Sequence, residues 1–169
     1  MRTIYLDMDG VVADFDIVAR EKIGYSMPGG ARYPDQDWKK LAENERLYRD
    51  LPLCPDARLL VGEVLDIAFV NWCQVVFLTA IPKQNDMPWA FYDKVNWARQ
   101  YFPEVPVWFG PYSRDKKIRA RPHDVLIDDR VSNIDDWTKA GGIGILHTGD
   151  VHKTLESLTI ELNIRGMIS

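Results

Sequence analysis

Five short apolar runs, at 3–6, 75–78, 105–109, 125–127 and 143–147, recur along this chain, and helical patterns lie between most of them. Brief runs rich in Val, Ile, Leu and Phe suit strands buried on both faces. Strands that alternate with helices form βαβ units, and such units build a mostly parallel sheet with helices on each side. The pattern therefore predicts an α/β fold with a doubly wound parallel sheet. Asp56, after Pro55, is placed to cap one helix, whose Leu59, Leu60, Val64, Leu65, Ile67 and Ala68 share a face. Residues 88–101 read as another helix, with Pro88 in its first turn. Ser132 is expected to cap a third, with Asp135 in the capping-box position and Gly141-Gly142 at its end. Asp150 is expected to cap the last, which runs to about Asn163.

Residues 16–52 break this rhythm. They begin helically through Ile23, pass through the turn chemistry of Pro28-Gly29-Gly30 and Tyr33-Pro34-Asp35, and resume as a helix from Trp38 to Tyr48. An insertion directly after the first strand would lie over that strand's carboxyl end. The expected organisation is a core of residues 1–15 and 53–169 with a small helical cap at 16–52, a single domain in all at 169 residues.

Charge and cysteine content narrow the function. The formal net charge is −4, with no basic stripe, which argues against a protein that grips long nucleic acid through its phosphates. A small anionic substrate needs only a few placed cations. Cys54 and Cys73 have neither zinc spacing nor a Cys-x-x-Cys arrangement and read as free thiols. The most apolar window, 64–81, contains Asp66, Asn71 and Gln74, and splits into a helix end and a strand rather than a membrane span. The chain enters its first strand without a signal-peptide pattern, so a cytoplasmic location is expected, with no membrane partner.

Asp7 and Asp9 directly follow the first apolar run and precede Gly10. On an extended strand the period of two would send both carboxylates to one side. They would then sit at the strand's carboxyl end, where open α/β sheets bind ligands. Two adjacent charges at the end of a buried strand are costly to desolvate unless something occupies them. A cation and a reacting phosphate would account for both. A calcium loop fits poorly, because its fifth position needs an acid and Val11 stands there. Three further pieces fall at the ends of other runs or just before one: Thr79; Lys116 or Lys117 within Ser113-Arg114-Asp115-Lys116-Lys117; and Asp128-Asp129-Arg130. A parallel sheet gathers such strand ends along one edge. Asp14 reads as a cap or brace of the first loop, and His123, His147 and His152 show no ligand spacing and read as structural or exposed.

In this order and strand context, Asp-x-Asp-Gly, Thr, Lys and Asp-Asp resemble the four-motif set of the haloacid-dehalogenase-like (HAD) phosphohydrolases. More narrowly, Asp7 to Phe15, the Ser-Arg-Asp-Lys stretch and Ile127 to Arg130 are similar to the 5′(3′)-deoxyribonucleotidases. The resemblance implies that Asp7 is a nucleophile that forms an aspartyl-phosphate. Asp9 would protonate the leaving alcohol and later deprotonate water. Mg²⁺ would be held by Asp7, the backbone carbonyl of Asp9 and one carboxylate of the Asp128/Asp129 pair, Asp129 being the favoured direct ligand. Thr79 and the lysine would bind the phosphoryl oxygens. Lys116 matches the Arg-Asp-Lys spelling of the relatives, while its spacing to Asp128 keeps Lys117 in play. Phe15, Lys83 and Arg114 match positions near the nucleotide. Trp38 and Tyr48 either stack on a base or pack the cap. Ala80 stands where the relatives tend to carry a hydroxyl, so one phosphate or sugar contact is missing. The implied substrate is a nucleoside monophosphate. A sugar phosphate, a phosphorylated nucleic-acid end, or a retired binding scaffold remain as other readings, and the oligomeric state is open, a homodimer included.

Overall fold

The computed structural model describes residues 1–27, 33–83 and 87–166. Strands β1 (Arg2–Leu6), β2 (Cys73–Thr79), β3 (Val107–Phe109), β4 (Val125–Asp128) and β5 (Ile143–Leu146) form one sheet in the order β3-β2-β1-β4-β5. Every pairing is parallel, with Leu6 opposite both Phe77 and Ile127. The helices are α1 (Phe15–Ile23), α2 (Asp35–Ala42), α3 (Ala57–Val70), α4 (Ala90–Tyr101), α5 (Val131–Lys139) and α6 (Val151–Gly166), with 3-10 turns at Leu47–Arg49 and Ser113–Arg119. The expected doubly wound α/β fold is the one observed.

The strands read as continuous apolar runs because both faces are covered. Ile4, Leu6, Val75, Phe77 and Ile127 pack in one layer with Leu60 and Val64 of α3, Trp97 of α4 and Leu158 of α6. Tyr5, Val76, Leu78 and Leu126 face the other way onto Trp137 of α5. Each such large side chain contributes about 1.5–3 kcal/mol on leaving water. The chain winds outward from β1 through β2 to β3, then crosses to β4 and β5. The winding reverses between β1 and β4, and the carboxyl ends of those two strands part to leave a crevice.

Around that crevice the local geometry departs from a plain strand end. β1 stops at Leu6, although the Asp7 amide still donates to the Ile127 carbonyl at 2.9 Å. The amides of Val11, Val12 and Ala13 then all donate to the Met8 carbonyl, which coils the chain tightly. Asp9 therefore lies in a turn, and this turn rather than strand alternation brings it beside Asp7. Gly10 has φ +79°, and a Cβ there would lie 2.4 Å from Asp129 Oδ2, so only glycine lets the first loop approach the end of β4 this closely.

Two expected caps form and two do not. Asp14 accepts from the Ile17 amide at 2.9 Å and opens α1, and Asp150 accepts from the Lys153 amide at 3.0 Å and opens α6. Asp56 precedes α3 but takes a left-handed backbone, φ 58°, and its carboxylate caps nothing. Helix α5 begins before Ser132, with Arg130 at the cap position, and the Arg130 amide donates instead to Asp128 Oδ1 at 2.9 Å. The expected helix from Trp38 to Tyr48 divides into the end of α2 and the turn Leu47–Arg49. β3 starts at Val107 rather than 105, since Pro106 has no amide to offer a ladder. The Pro28-Gly29-Gly30 turn lies outside the described residues. Among the described residues no helix is long and apolar enough to cross a membrane.

Candidate functional site

A cavity of about 580 Å³ opens at the crevice between β1 and β4, with Asp7, Asp9, Lys116 and Asp129 among its lining residues. Trp38 and Tyr48 line it from the inserted segment, Phe15 from the start of α1, and Ala80, Lys83 and Arg114 from the loops after β2 and β3. Thr79 and Asp128 are fully buried and do not line it. The sequence-predicted residues thus converge, with these two set behind the wall.

The first half of the site is built on Lys116. Its ammonium lies 2.7 Å from Asp7 Oδ1 and 2.7 Å from Asp128 Oδ2, and it is 2% exposed. Burial alone would lower its pKa, but Asp128 and Asp7 outweigh that and hold it above the ordinary lysine value. Asn133 donates to both Asp128 oxygens, at 3.0 and 2.9 Å, and its own carbonyl accepts from the Ser113 hydroxyl at 2.9 Å. Asp128 is therefore fully engaged by Lys116, Asn133 and the Arg130 amide. Lys117 points elsewhere, onto half-buried Asp136 at 3.0 Å, so of the two lysines it is Lys116 that reaches Asp7 and Asp128. Asp7 Oδ1 also accepts from the Met8 amide at 2.7 Å, which leaves Oδ2 as the oxygen not committed to either donor.

The second half is built on a residue that the sequence reading missed. Lys94 of α4 donates to Asp9 Oδ2 at 2.6 Å and to the Thr79 hydroxyl at 3.1 Å, and its ammonium lies 4.3 Å from the Tyr48 ring centroid. It is 1% exposed. A signal was present. The buried stripe of α4 is Ala90, Asp93, Lys94, Trp97 and Ala98, helical spacing in which two charged residues occupy core positions. Arg130 was read only as part of a motif. Arg130 lines the cavity, and although burial alone would lower its pKa, the four aspartates, Asp7 first, hold it above the ordinary arginine value.

The acidic residues fit a hard divalent cation. One oxygen from each of Asp7, Asp128 and Asp129 lies within 4.8 Å of the others. Asp129 Oδ1 and Asp9 Oδ1 are buried with no hydrogen-bond partner among the described residues. An orphaned carboxylate oxygen in a polar crevice is what a cation would satisfy. Burial, reinforced by Asp7 and Asp128, pushes the Asp129 carboxyl up to about 8. Burial likewise raises Asp7 to about 6, with Lys116 pulling the other way. Asp129 has the free oxygen that Asp128 lacks.

The aromatic wall is a cluster in its own right. The Phe15 ring stacks at 6.3 Å on Trp38 and at 6.0 Å on Tyr48, and tilts at 6.0 Å against Tyr33. Tyr48 is buried, with the Lys94 ammonium over its ring. Phe15 and Trp38 are half-buried and keep apolar surface toward the cavity. Of the remaining residues noted in the sequence, His147 is buried, with its pKa lowered by burial and Nδ1 2.9 Å from the Thr154 hydroxyl, a structural role. Cys54 is a free thiol that burial pushes up to about 12.

The family model described as 5′ nucleotidase, deoxy (Pyrimidine), cytosolic type C protein matches residues 32–159, which include Thr79, Lys94, Lys116 and Asp128-Asp129. No curated protein matches. An uncharacterized protein from Corynebacterium glutamicum ATCC 13032 Kitasato, with a 1.44 Å crystal structure, is similar over 96% of each chain at 15% identity, with a TM-score of 0.45. With the family match spanning most of the sequence and an all-parallel sheet carrying the expected residues at its switch point, this chain belongs to the cytosolic type C 5′ nucleotidase family, a HAD-like group.

Proposed function

We propose that the chain is a Mg²⁺-dependent phosphomonoesterase that removes phosphate from nucleoside monophosphates, deoxyribonucleotides above all, through an aspartyl-phosphate. The observation that carries this reading is the pair of lysine-braced aspartates sharing one cavity, Asp7 on Lys116 and Asp9 on Lys94. With Oδ1 of Asp7 held by Lys116 and the Met8 amide, Oδ2 attacks phosphorus. The ester P–O bond breaks, and the leaving alcohol takes a proton from Asp9 Oδ1, the oxygen not committed to Lys94. Asp9 then takes a proton from water, the water oxygen bonds to phosphorus, and the P–O bond to Asp7 breaks to give phosphate and free Asp7. Lys116 and Arg130 line the cavity and supply the positive charge that the transferring phosphoryl needs, while Lys94, with Thr79 behind it, braces Asp9.

Asp7, Asp129 and the main-chain carbonyl of Asp9 would hold Mg²⁺, with Asp128 behind them. Bound there, the ion would neutralise phosphoryl charge and orient the reacting oxygens. Residues 16–52 act as the cap, closing the aromatic wall of Phe15 and Trp38 over the nucleoside. That wall and a volume of about 580 Å³ favour a nucleoside over a bare sugar. Lys83 and Arg114 sit at the rim, and Ala80 offers the substrate no hydroxyl. A cytoplasmic site of action is part of the same reading.

The test is turnover of ribo- and deoxyribonucleoside monophosphates and sugar phosphates, with Mg²⁺ and with chelator. Asp7→Asn should fold normally and lose about 10³-fold or more of kcat. Near wild-type hydrolysis of an aryl phosphate by that variant would remove the nucleophile assignment. Equal activity on nucleotides and sugars would remove the nucleotidase claim.

A further inference from the structure

The chain just after α2 grips α4 at three points. The Arg46 guanidinium straddles the Asp93 carboxylate, with Nε donating at 3.1 and 2.8 Å and a second nitrogen pairing with Oδ1. The same group lies 4.9 Å from the Trp89 ring centroid. Two residues on, Tyr48 lies against the Lys94 ammonium, and the Leu51 carbonyl accepts from the Trp97 indole at 2.7 Å. Asp93 and Lys94 are consecutive, and both are buried. The 3-10 turn Leu47–Arg49 and its flanks therefore hold, at adjacent positions of one helix, a buried carboxylate and the lysine bound to Asp9.

Arg46 does not line the cavity, so any effect it has on chemistry passes through α4. Asp93 is 0% exposed, and a carboxylate so deep is unfavourable without a cation. Stripped of Arg46, it would draw in water or compete for Lys94, and α4 would be free to shift against the turn. The planar two-point fork of arginine sets position as well as charge, which a lysine cannot reproduce. We infer that Arg46 is a positioning residue for phosphoryl transfer: its ion pair with Asp93 fixes α4 against the inserted segment and so holds the Lys94 ammonium between Asp9 and Thr79. The inference rests on the reading of Asp9 and Lys94 given under Proposed function.

The experiment is steady-state kinetics with an aryl phosphate and a deoxynucleoside monophosphate in Mg²⁺, on wild type, Arg46→Ala, Arg46→Lys, Lys94→Met and the Arg46→Ala/Lys94→Met double variant. Arg46→Ala should lower kcat roughly 10- to 100-fold through misplacement, with KM within about twofold. Arg46→Lys should recover part of the loss. In the Lys94→Met background, Arg46→Ala should cost no further kcat, because the group it positions is gone. Unchanged kcat in Arg46→Ala, or an equal loss in both backgrounds, would overturn the inference. Should Arg46→Ala fail to fold, Arg46→Lys and Asp93→Asn carry the same comparison. A wild-type protein that hydrolyses neither substrate would end the proposed function instead. Placement would then be read from the ¹⁵N resonance of the Lys94 ammonium, sharp in wild type and lost in Arg46→Ala; a resonance unmoved by the substitution would end the inference.

Discussion

Lys116 and Lys94 are both almost wholly buried, and each is matched to an aspartate of the cavity, but the fold delivers them by different routes. Lys116 comes from the turn between β3 and β4 and joins the loop after β1 to the end of β4, so the sheet's own strand ends assemble that half. Lys94 comes from a helix face and is covered by Tyr48 of the inserted segment. The first half is thus a property of the α/β core. The second needs core and insertion together, since Tyr48 of the insertion packs against Lys94 of the core.

That contrast can be broken most sharply at Lys116. Lys116→Met should destabilise the fold by about 3–5 kcal/mol, since it leaves Asp7 and Asp128 buried together without a cation. Turnover should fall by about 10²–10³-fold. Denaturant melts and kcat check both; a variant of wild-type stability would show that the core half does not depend on this charge.

Lys94→Met should separate the two effects. Asp9 keeps some exposure, 26%, so the stability loss should be only about 1–3 kcal/mol, while kcat falls by about 10²-fold. If Lys94→Met destabilised as much as Lys116→Met and left kcat intact, the division between a structural and a chemical lysine would be reversed.

The smallest expected effect is on pH and metal. Asp7 and Asp129 have raised carboxyl pKa values, about 6 and about 8, so their neutral forms suit the metal-free fold. Their stabilising protonation is complete below the ordinary carboxylate pKa, near ~4, and is lost as pH rises through those two values. Chelator-treated protein should therefore melt lower at pH 8.5 than at pH 5, by about 5 °C. Mg²⁺ should restore more at the higher pH, where the carboxylates it would bind are ionised. Asp129→Asn should flatten the pH dependence and remove most of the Mg²⁺ response. A melting temperature indifferent to both would separate the acidic cluster from any cation.

Much of the site was legible before folding because parallel strands deliver their carboxyl ends to one edge. Asp7, Thr79 and the Asp128-Asp129 pair each follow an apolar run, so recognising the runs was enough to gather them. What stayed hidden involved choices between neighbours. Lys116 and Lys117 differ by one position on a turn, and only Asp7 and Asp128 on one side and Asp136 on the other tell them apart. Asp128 and Asp129 differ because Asn133 and Lys116 saturate one and leave an oxygen of the other bare. Asp56 has a good capping side chain that a left-handed backbone turns away from its helix.

Local pattern was enough for the α/β winding, the strand ends and the aspartates they carry, because hydrophobic period and turn chemistry act over a few residues. The pairing of Lys94 with Asp9 and of Arg46 with Asp93 joins residues 85 and 47 positions apart. Such pairs depend on which face a helix presents and how an insertion is seated. Only packing of the whole chain settles that, since the desolvation that makes these charges seek each other exists only once the core has closed.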